Sequence, residues 1–275
     1  MRSLYHGKLL LFGEYLVLNQ GPALAMPEKR LSVRWECQSQ ADQELIQYVQ
    51  FLSEHETLEP YLDIPLLQKH IESGWQLTSD VPRHKGLGSS ATIVAAVYDR
   101  YKTKKDEDLS MEKLQEIFAA MEDYMHGTSS GFDPLPVYFD QPILRKNNQS
   151  VRLSTPLPCL DSWTVEFVDS GAERADRNGI TRFVQRLHNN QSFATKIDTL
   201  TKVNNKLVEA VIKNERKIAE NLLKTFSENQ LILFADWIPE NIQAIWRGHR
   251  QDNAVYKMLG AGGGGYFLKI TFREE

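Results

Sequence analysis

Three short segments carry residue types that could do chemistry. In Gly86-Leu87-Gly88-Ser89-Ser90-Ala91, two glycines and two hydroxyls stand immediately before a helical pattern. Glycines let the backbone approach an anion, and a helix N-terminus presents unpaired N–H groups at the positive end of its dipole. The hydroxyls could bind a phosphate or a magnesium ion. A plain glycine turn with a serine cap would use the same residues. In Glu122 through Asp133, one carboxylate lies late in a helix and the other follows a loop of small and hydroxyl residues. One could hold a metal while the other accepts a proton from a substrate hydroxyl, the division of labour that phosphoryl transfer requires. Read alone, the same pair is a surface glutamate and a turn aspartate before Pro134, and His126 is a capping or packing residue. The third segment, Gly260 through Gly265, holds five glycines in six residues. Ordering so many glycines is entropically unfavourable, which points to a close approach to a ligand.

The elements that must position these segments follow from apolar periodicity. Lys8-Leu9-Leu10-Leu11-Phe12 is an apolar run bounded by Gly7 and Gly13, as in a buried strand. Leu16 to Leu18 reads as a second strand and Leu31 to Cys37, with alternating polarity, as a third, so the chain opens as a small β-meander. From Ala91 the period becomes helical. Met111 to His126 is a second helix with Leu114, Ile117, Phe118, Met121 and Met125 on one face, and Gly127 after it as a C-terminal cap. A strand is expected near Ile143-Leu144 and another at 163–168. Residues 173–250 read as mostly helical, interrupted near Asn189-Asn190 and Pro239, and 266–272 as a final strand. Strands gathered early and late with helices between them predict an α+β fold in two halves, 1–155 and 156–275.

Composition narrows the function classes. The chain has 275 residues, 41% hydrophobic and 25% charged, which is too apolar for a disordered protein. The 32 Lys and Arg against 36 Asp and Glu, net charge -4, argue against a general nucleic-acid binder. There is no apolar run of transmembrane length and no signal-peptide pattern at the start. Cys37 and Cys159 lie far apart and read as separate thiols of a reducing compartment. A soluble, cytoplasmic protein is expected. A dinucleotide fingerprint at Gly86 is rejected because Pro82, Arg83, His84 and Lys85 precede it where a buried strand is needed. No Gly-Lys-Ser/Thr of a Walker A loop occurs, and the seven histidines show no metal-ligand spacing.

Taken in order, the segments resemble the GHMP kinases, the family of galactokinase, homoserine kinase, mevalonate kinase and phosphomevalonate kinase. His6 through Leu18 with Ala23 to Pro27 looks like the first family motif, Pro82 to Ala91 the second and Gly260 to Gly265 the third. The spacing of Glu122, His126-Gly127 and Ser130-Gly131-Phe132-Asp133 is most similar to mevalonate kinase. The resemblance implies an N-terminal domain like ribosomal protein S5 domain 2, a C-terminal ferredoxin-like domain, and a site between them. It implies ATP-dependent phosphorylation of a hydroxyl, with mevalonate the expected acceptor. Phosphomevalonate kinase or another GHMP kinase is the alternative, and a catalytically silent sensor of the same fold a further one.

The resemblance also implies roles. Asp133 is expected to be the catalytic base, with Lys8 beside it stabilising charge on the reacting oxygens. Pro82, Lys85, Gly86, Leu87, Gly88, Ser89, Ser90 and Ala91 would bind ATP, with Ser130 adding a hydroxyl. Ser90 and Glu122 would hold Mg2+. Glu14, Tyr15, Gly262, Gly263 and Gly264 would lie on the substrate side. The partner implied is a small hydroxy acid, with neither nucleic acid nor membrane, and a homodimer follows from family habit. Tyr15 stands where mevalonate kinases usually carry histidine. The segment 171–184, with Arg174, Arg177 and Thr181, is only loosely similar to the family's Lys/Arg-Ser-Thr stretch. The chain ends ten residues after Gly265, earlier than its relatives, which implies a trimmed end.

Overall fold

The computed structural model describes residues 2–38, 42–153, 157–172, 179–248 and 253–273. The expected junction at 155/156 and Arg174 and Arg177 lie outside the described residues. A five-stranded antiparallel sheet is built from β1 (Tyr5–Phe12), β2 (Ala23–Cys37), β3 (Trp75–Ser79), β4 (Ile143–Lys146) and β5 (Gln149–Arg152). Its order is β1-β2-β4-β5, with β3 pairing the far end of β2. A three-stranded sheet, in the order β6-β8-β7, comprises β6 (Trp163–Asp169), β7 (Ala254–Met258) and β8 (Tyr266–Phe272). Helices α1 (Gln43–Ser53), α2 (Ile64–Glu72), α3 (Ser89–Tyr101), α4 (Met111–His126) and α5 (Pro134–Phe139) accompany the first sheet. Helices α6 (Gly179–Asn189), α7 (Gln191–Ile212), α8 (Arg216–Leu233) and α9 (Glu240–Gly248) fall between β6 and β7. The fold is α+β, as the sequence pattern predicts.

The apolar run of β1 is continuous because both faces of the strand are covered. Leu9, Leu11 and Phe12 join a core with Phe183, Leu200, Phe226 and Phe267 from the second half of the chain. Tyr5 joins a second core with Tyr98, Phe118, Leu135 and Ile143, against which Leu10 packs. Helix α4 forms where its stripe predicts: Ser110 caps it by accepting from Lys113 N–H, and Leu114, Ile117, Phe118 and Met121 are buried. Asn190 likewise caps α7, so the break expected at Asn189-Asn190 is a helix boundary.

Some elements differ from the sequence reading. Leu16–Asn19 is a short 3-10 helix, not a strand. Tyr15 and Gln20 flank it at φ 58° and 59°, so the chain coils there. Leu16 is buried while Leu18 is 44% exposed, a pattern no half-buried strand would show. The partner of β1 is instead the 15-residue β2, which replaces the expected meander. Helices α1 and α2, capped by Asp42 and Asp63, and strand β7 have no counterpart in the sequence reading. Asn214, at φ 59°, separates α7 from α8. Both cysteines are free thiols, and no helix among the described residues is long and apolar enough to cross a membrane.

Phe12 ties the two halves together, its ring lying edge-on to Trp163 and Phe226 with no exposed surface. Phe12→Ala should lower stability by ~3–5 kcal/mol through lost burial and the cavity left behind. Urea unfolding followed by tryptophan fluorescence checks this, with a single transition expected at lower urea. Two separated transitions in the parent protein would show that the halves do not unfold as one unit.

Candidate active site

The site forms where β1 meets the loop before α3. Lys8 N–H donates to Leu87 O across 2.9 Å, which draws the glycine loop against the strand. Leu87 itself is fully buried. Gly88 lies at φ 79°, and a Cβ placed on it would sit 2.5 Å from Lys8 Cγ. The glycine therefore serves both the turn and the passage of the lysine stem. Gly88 is also the N-cap of α3, and no side chain caps that helix. The serine cap of the alternative reading is absent, so the first-turn N–H groups remain available to an anion.

Lys8, only 5% exposed, reaches Asp133 with Nζ 2.6 Å from the carboxylate, whose side chain is 42% exposed. The pair thus has a buried cationic end and an open anionic end. Asp133 stands at the start of α5, after a loop pinned from α4. Gln115 donates to Ser130 O and accepts from Ser150 Oγ, and Gly131 packs so closely on α4 that a Cβ would meet Gln115 O at 1.9 Å.

Glu122, on the buried face of α4, accepts from Ser129 Oγ at 2.5 Å. Burial, reinforced by the charge of Asp133, pushes its carboxyl up to about 8, against the opposing pull of Ser129 and Lys8. Ser90, in the first turn of α3, lies 3.0 Å from His126 Nε2. Lys8, Ser90, Glu122 and Asp133 are therefore brought into one neighbourhood. Among the described residues no group of three or more His, Cys, Asp or Glu could hold a metal by themselves. Two hard oxygen donors, a carboxylate and a hydroxyl, instead suit Mg2+, which usually takes few protein ligands and completes its shell with phosphate and water.

Other expected site residues are placed differently. Ser130 Oγ accepts from Phe132 N–H within the loop, and the hydroxyl that meets Glu122 belongs to Ser129. The sequence reading passed over Ser129 because Ser129 and Ser130 are indistinguishable by type. Lys85 is engaged by Asp169 at 2.8 Å and lies over the Tyr266 ring. Pro82 is half-buried at the entry to the loop and Ala91 is on the buried face of α3, so Ala91 lends only backbone.

Glu14 and Tyr15, expected on the substrate side, are both buried. Glu14 forms an ion pair with Lys257, a residue the sequence reading did not single out, and both side chains are fully enclosed. Burial pushes Glu14 up and Lys257 down, each opposed by the charge of the other. Lys257 also donates to Met258 O at 2.5 Å, just before the third glycine segment. Tyr15 stacks on Phe234 and donates to Ala261 O at 2.6 Å, while Gly263 N–H donates to Trp237 O at 2.7 Å. Gly262 and Gly264 share that loop, so Glu14 and Tyr15 hold it from behind. The loop in turn touches the segment before α3: Tyr266 N–H donates to Lys85 O, and Gly265 packs on Lys85 backbone.

The buried Glu122 gives a pH dependence. Folded, it keeps its proton up to about 8, whereas unfolded it releases it near 4.5. Between those values the native state binds more protons, so its stability falls as pH rises through that window. Glu122→Gln removes the dependence. In EDTA its Tm should match the parent near pH 4 and exceed it increasingly toward pH 8, as read by thermal melts across that range. A difference that does not grow with pH would contradict the raised carboxyl.

The model for the GHMP kinases N terminal domain matches residues 51–141. L. major mevalonate kinase in complex with R-mevalonate superposes with a TM-score of 0.65 at 19% identity, covering 98% of this chain and 87% of that one. S. pneumoniae phosphomevalonate kinase in complex with phosphomevalonate and AMPPNP gives 0.65 at 17%, covering 100% and 93%. L. lactis galactokinase complexed with galactose gives 0.66 at 15%, covering 98% and 85%. No curated protein matches by sequence.

Proposed function

We propose that this chain, a GHMP kinase by its fold and by the domain over residues 51–141, transfers the γ-phosphoryl group of ATP to the hydroxyl of a small acid, with mevalonate the acceptor. The observation that carries the reading is the 2.6 Å contact between Lys8 and a partly open Asp133, beside an uncapped helix N-terminus. Asp133 accepts the proton of the attacking hydroxyl, and Lys8 stabilises the charge that grows on the attacking and transferred oxygens. The backbone of 86–89 and the first turn of α3 take the nucleotide phosphates. Ser90 and Glu122 would hold Mg2+, which when bound neutralises phosphate charge. The Glu122–Asp133 spacing supports mevalonate, and the fold neighbours include proteins named for mevalonate, phosphomevalonate and galactose. The reading divides the chain into a nucleotide-binding half, 1–155, and a second half, 156–275, that supplies the loop at 262–264.

The test is ADP release from ATP and Mg2+ over a panel of mevalonate, phosphomevalonate, homoserine and galactose. Mevalonate should give the highest kcat/KM, and Asp133→Asn should reduce its kcat by ~100-fold or more. Preference for another alcohol would reassign the acceptor within the same chemistry. Full activity in Asp133→Asn would remove Asp133 as the base, and ATP binding without turnover on any alcohol would indicate a silent sensor.

A further inference from the structure

His126 has no evident task as a helix residue. It is the last residue of α4 and is exposed, so it does not pack in a core. The helix end is already closed by Gly127, whose N–H donates to Asp123 O at 2.8 Å. The His126 ring instead reaches across to another helix, with Nε2 and Ser90 Oγ in hydrogen-bond contact at 3.0 Å. The residue one turn earlier on the same face of α4 is Glu122. A single helix face thus presents a carboxylate to the proposed cation and an imidazole to the hydroxyl that would share it.

We infer that His126 is a positioning residue for Ser90, its Nε2 accepting the Ser90 hydroxyl proton so that the oxygen's lone pairs are left free for the cation. The inference rests on the assignment of Ser90 to Mg2+ made above. A serine hydroxyl has one proton and two acceptor lone pairs, and its proton rotates to whatever acceptor is nearest. A free hydroxyl in the first turn of a helix can point that proton toward an approaching cation, where it repels. With the proton held by an imidazole in its Nδ1–H tautomer, that orientation is removed. Outer-shell partners of this kind orient a ligand without touching the ion.

The experiment is calorimetric titration of ADP, with Mg2+ and separately with EDTA, into the parent protein, Ser90→Ala, His126→Ala, His126→Gln and the double alanine variant. His126→Ala should weaken Mg-ADP binding by about 10-fold, within the range for outer-shell partners. Metal-free ADP binding should stay within about twofold. The double variant should bind no more weakly than Ser90→Ala, again within about twofold, because both remove the same interaction. His126→Gln, whose amide oxygen can accept the same proton, should recover most of the loss. The histidine 15N spectrum of the free protein should show His126 Nε2 without a proton.

Parent-like Mg-ADP binding by His126→Ala, alongside weakened Ser90→Ala, would overturn the role of His126 alone. Losses that multiply in the double variant, or a protonated Nε2, would do the same. Parent-like binding by Ser90→Ala would overturn the metal assignment and the inference with it. Matching melting temperatures across the set would show that the variants remain folded.

Discussion

The contact between Lys8 and Asp133 is the interaction around which the other segments are arranged, because it requires three separate pieces of chain to be exact at once. Lys8 must leave a strand whose two faces are both buried, so its stem passes through protein before its ammonium meets Asp133. Leu87 and Gly88 must lie against that strand, one to accept its N–H and the other to leave room for its side chain. Asp133 must be delivered by a loop that Gln115 pins to α4. A cation so enclosed is unfavourable without a partner, and the partly exposed carboxylate supplies one while staying open to a ligand.

The second half of the chain enters through buried polar contacts. The Glu14–Lys257 pair and the Tyr15–Ala261 hydrogen bond fix the glycine-rich loop to the segment that follows β1, and the Gly263–Trp237 hydrogen bond fixes it to the turn after α8. Lys85 and Asp169 join the loop before α3 to the end of β6. A fully enclosed ion pair such as Glu14–Lys257 gives little net stability, since desolvation offsets most of its attraction. What it supplies is register: removing one partner leaves a charge buried alone, so alternative placements of the loop are strongly disfavoured. Tyr15, held at φ 58° by stacking and by its own hydroxyl, shows the same trade of local strain for position.

Much of the architecture was legible because burial leaves a period. The stripe of α4, the apolar run of β1 and the alternation at 31–37 all appear where expected, as does the α7 cap at Asn190. Leu16 to Leu18 misled because three apolar residues in a row do not specify conformation, and the left-handed flanks at Tyr15 and Gln20 depend on tertiary packing. Helices α1 and α2 are signalled in the sequence by Asp42 and Asp63, each an N-cap ahead of an apolar stripe.

For the site, residue type alone left Glu122 and Asp133 as a surface glutamate and a turn aspartate, and it was the ordered resemblance to the GHMP kinases that singled out Lys8, Ser90, Glu122 and Asp133 together. Sequence could not say which of Ser129 and Ser130 meets Glu122, that Lys257 lies opposite Glu14, or that His126 leaves its helix end for Ser90. Those pairings join residues as far apart as 243 positions in the chain. They are set by how two sheets and their helices close on a shared core, and no local pattern of side chains records that closure.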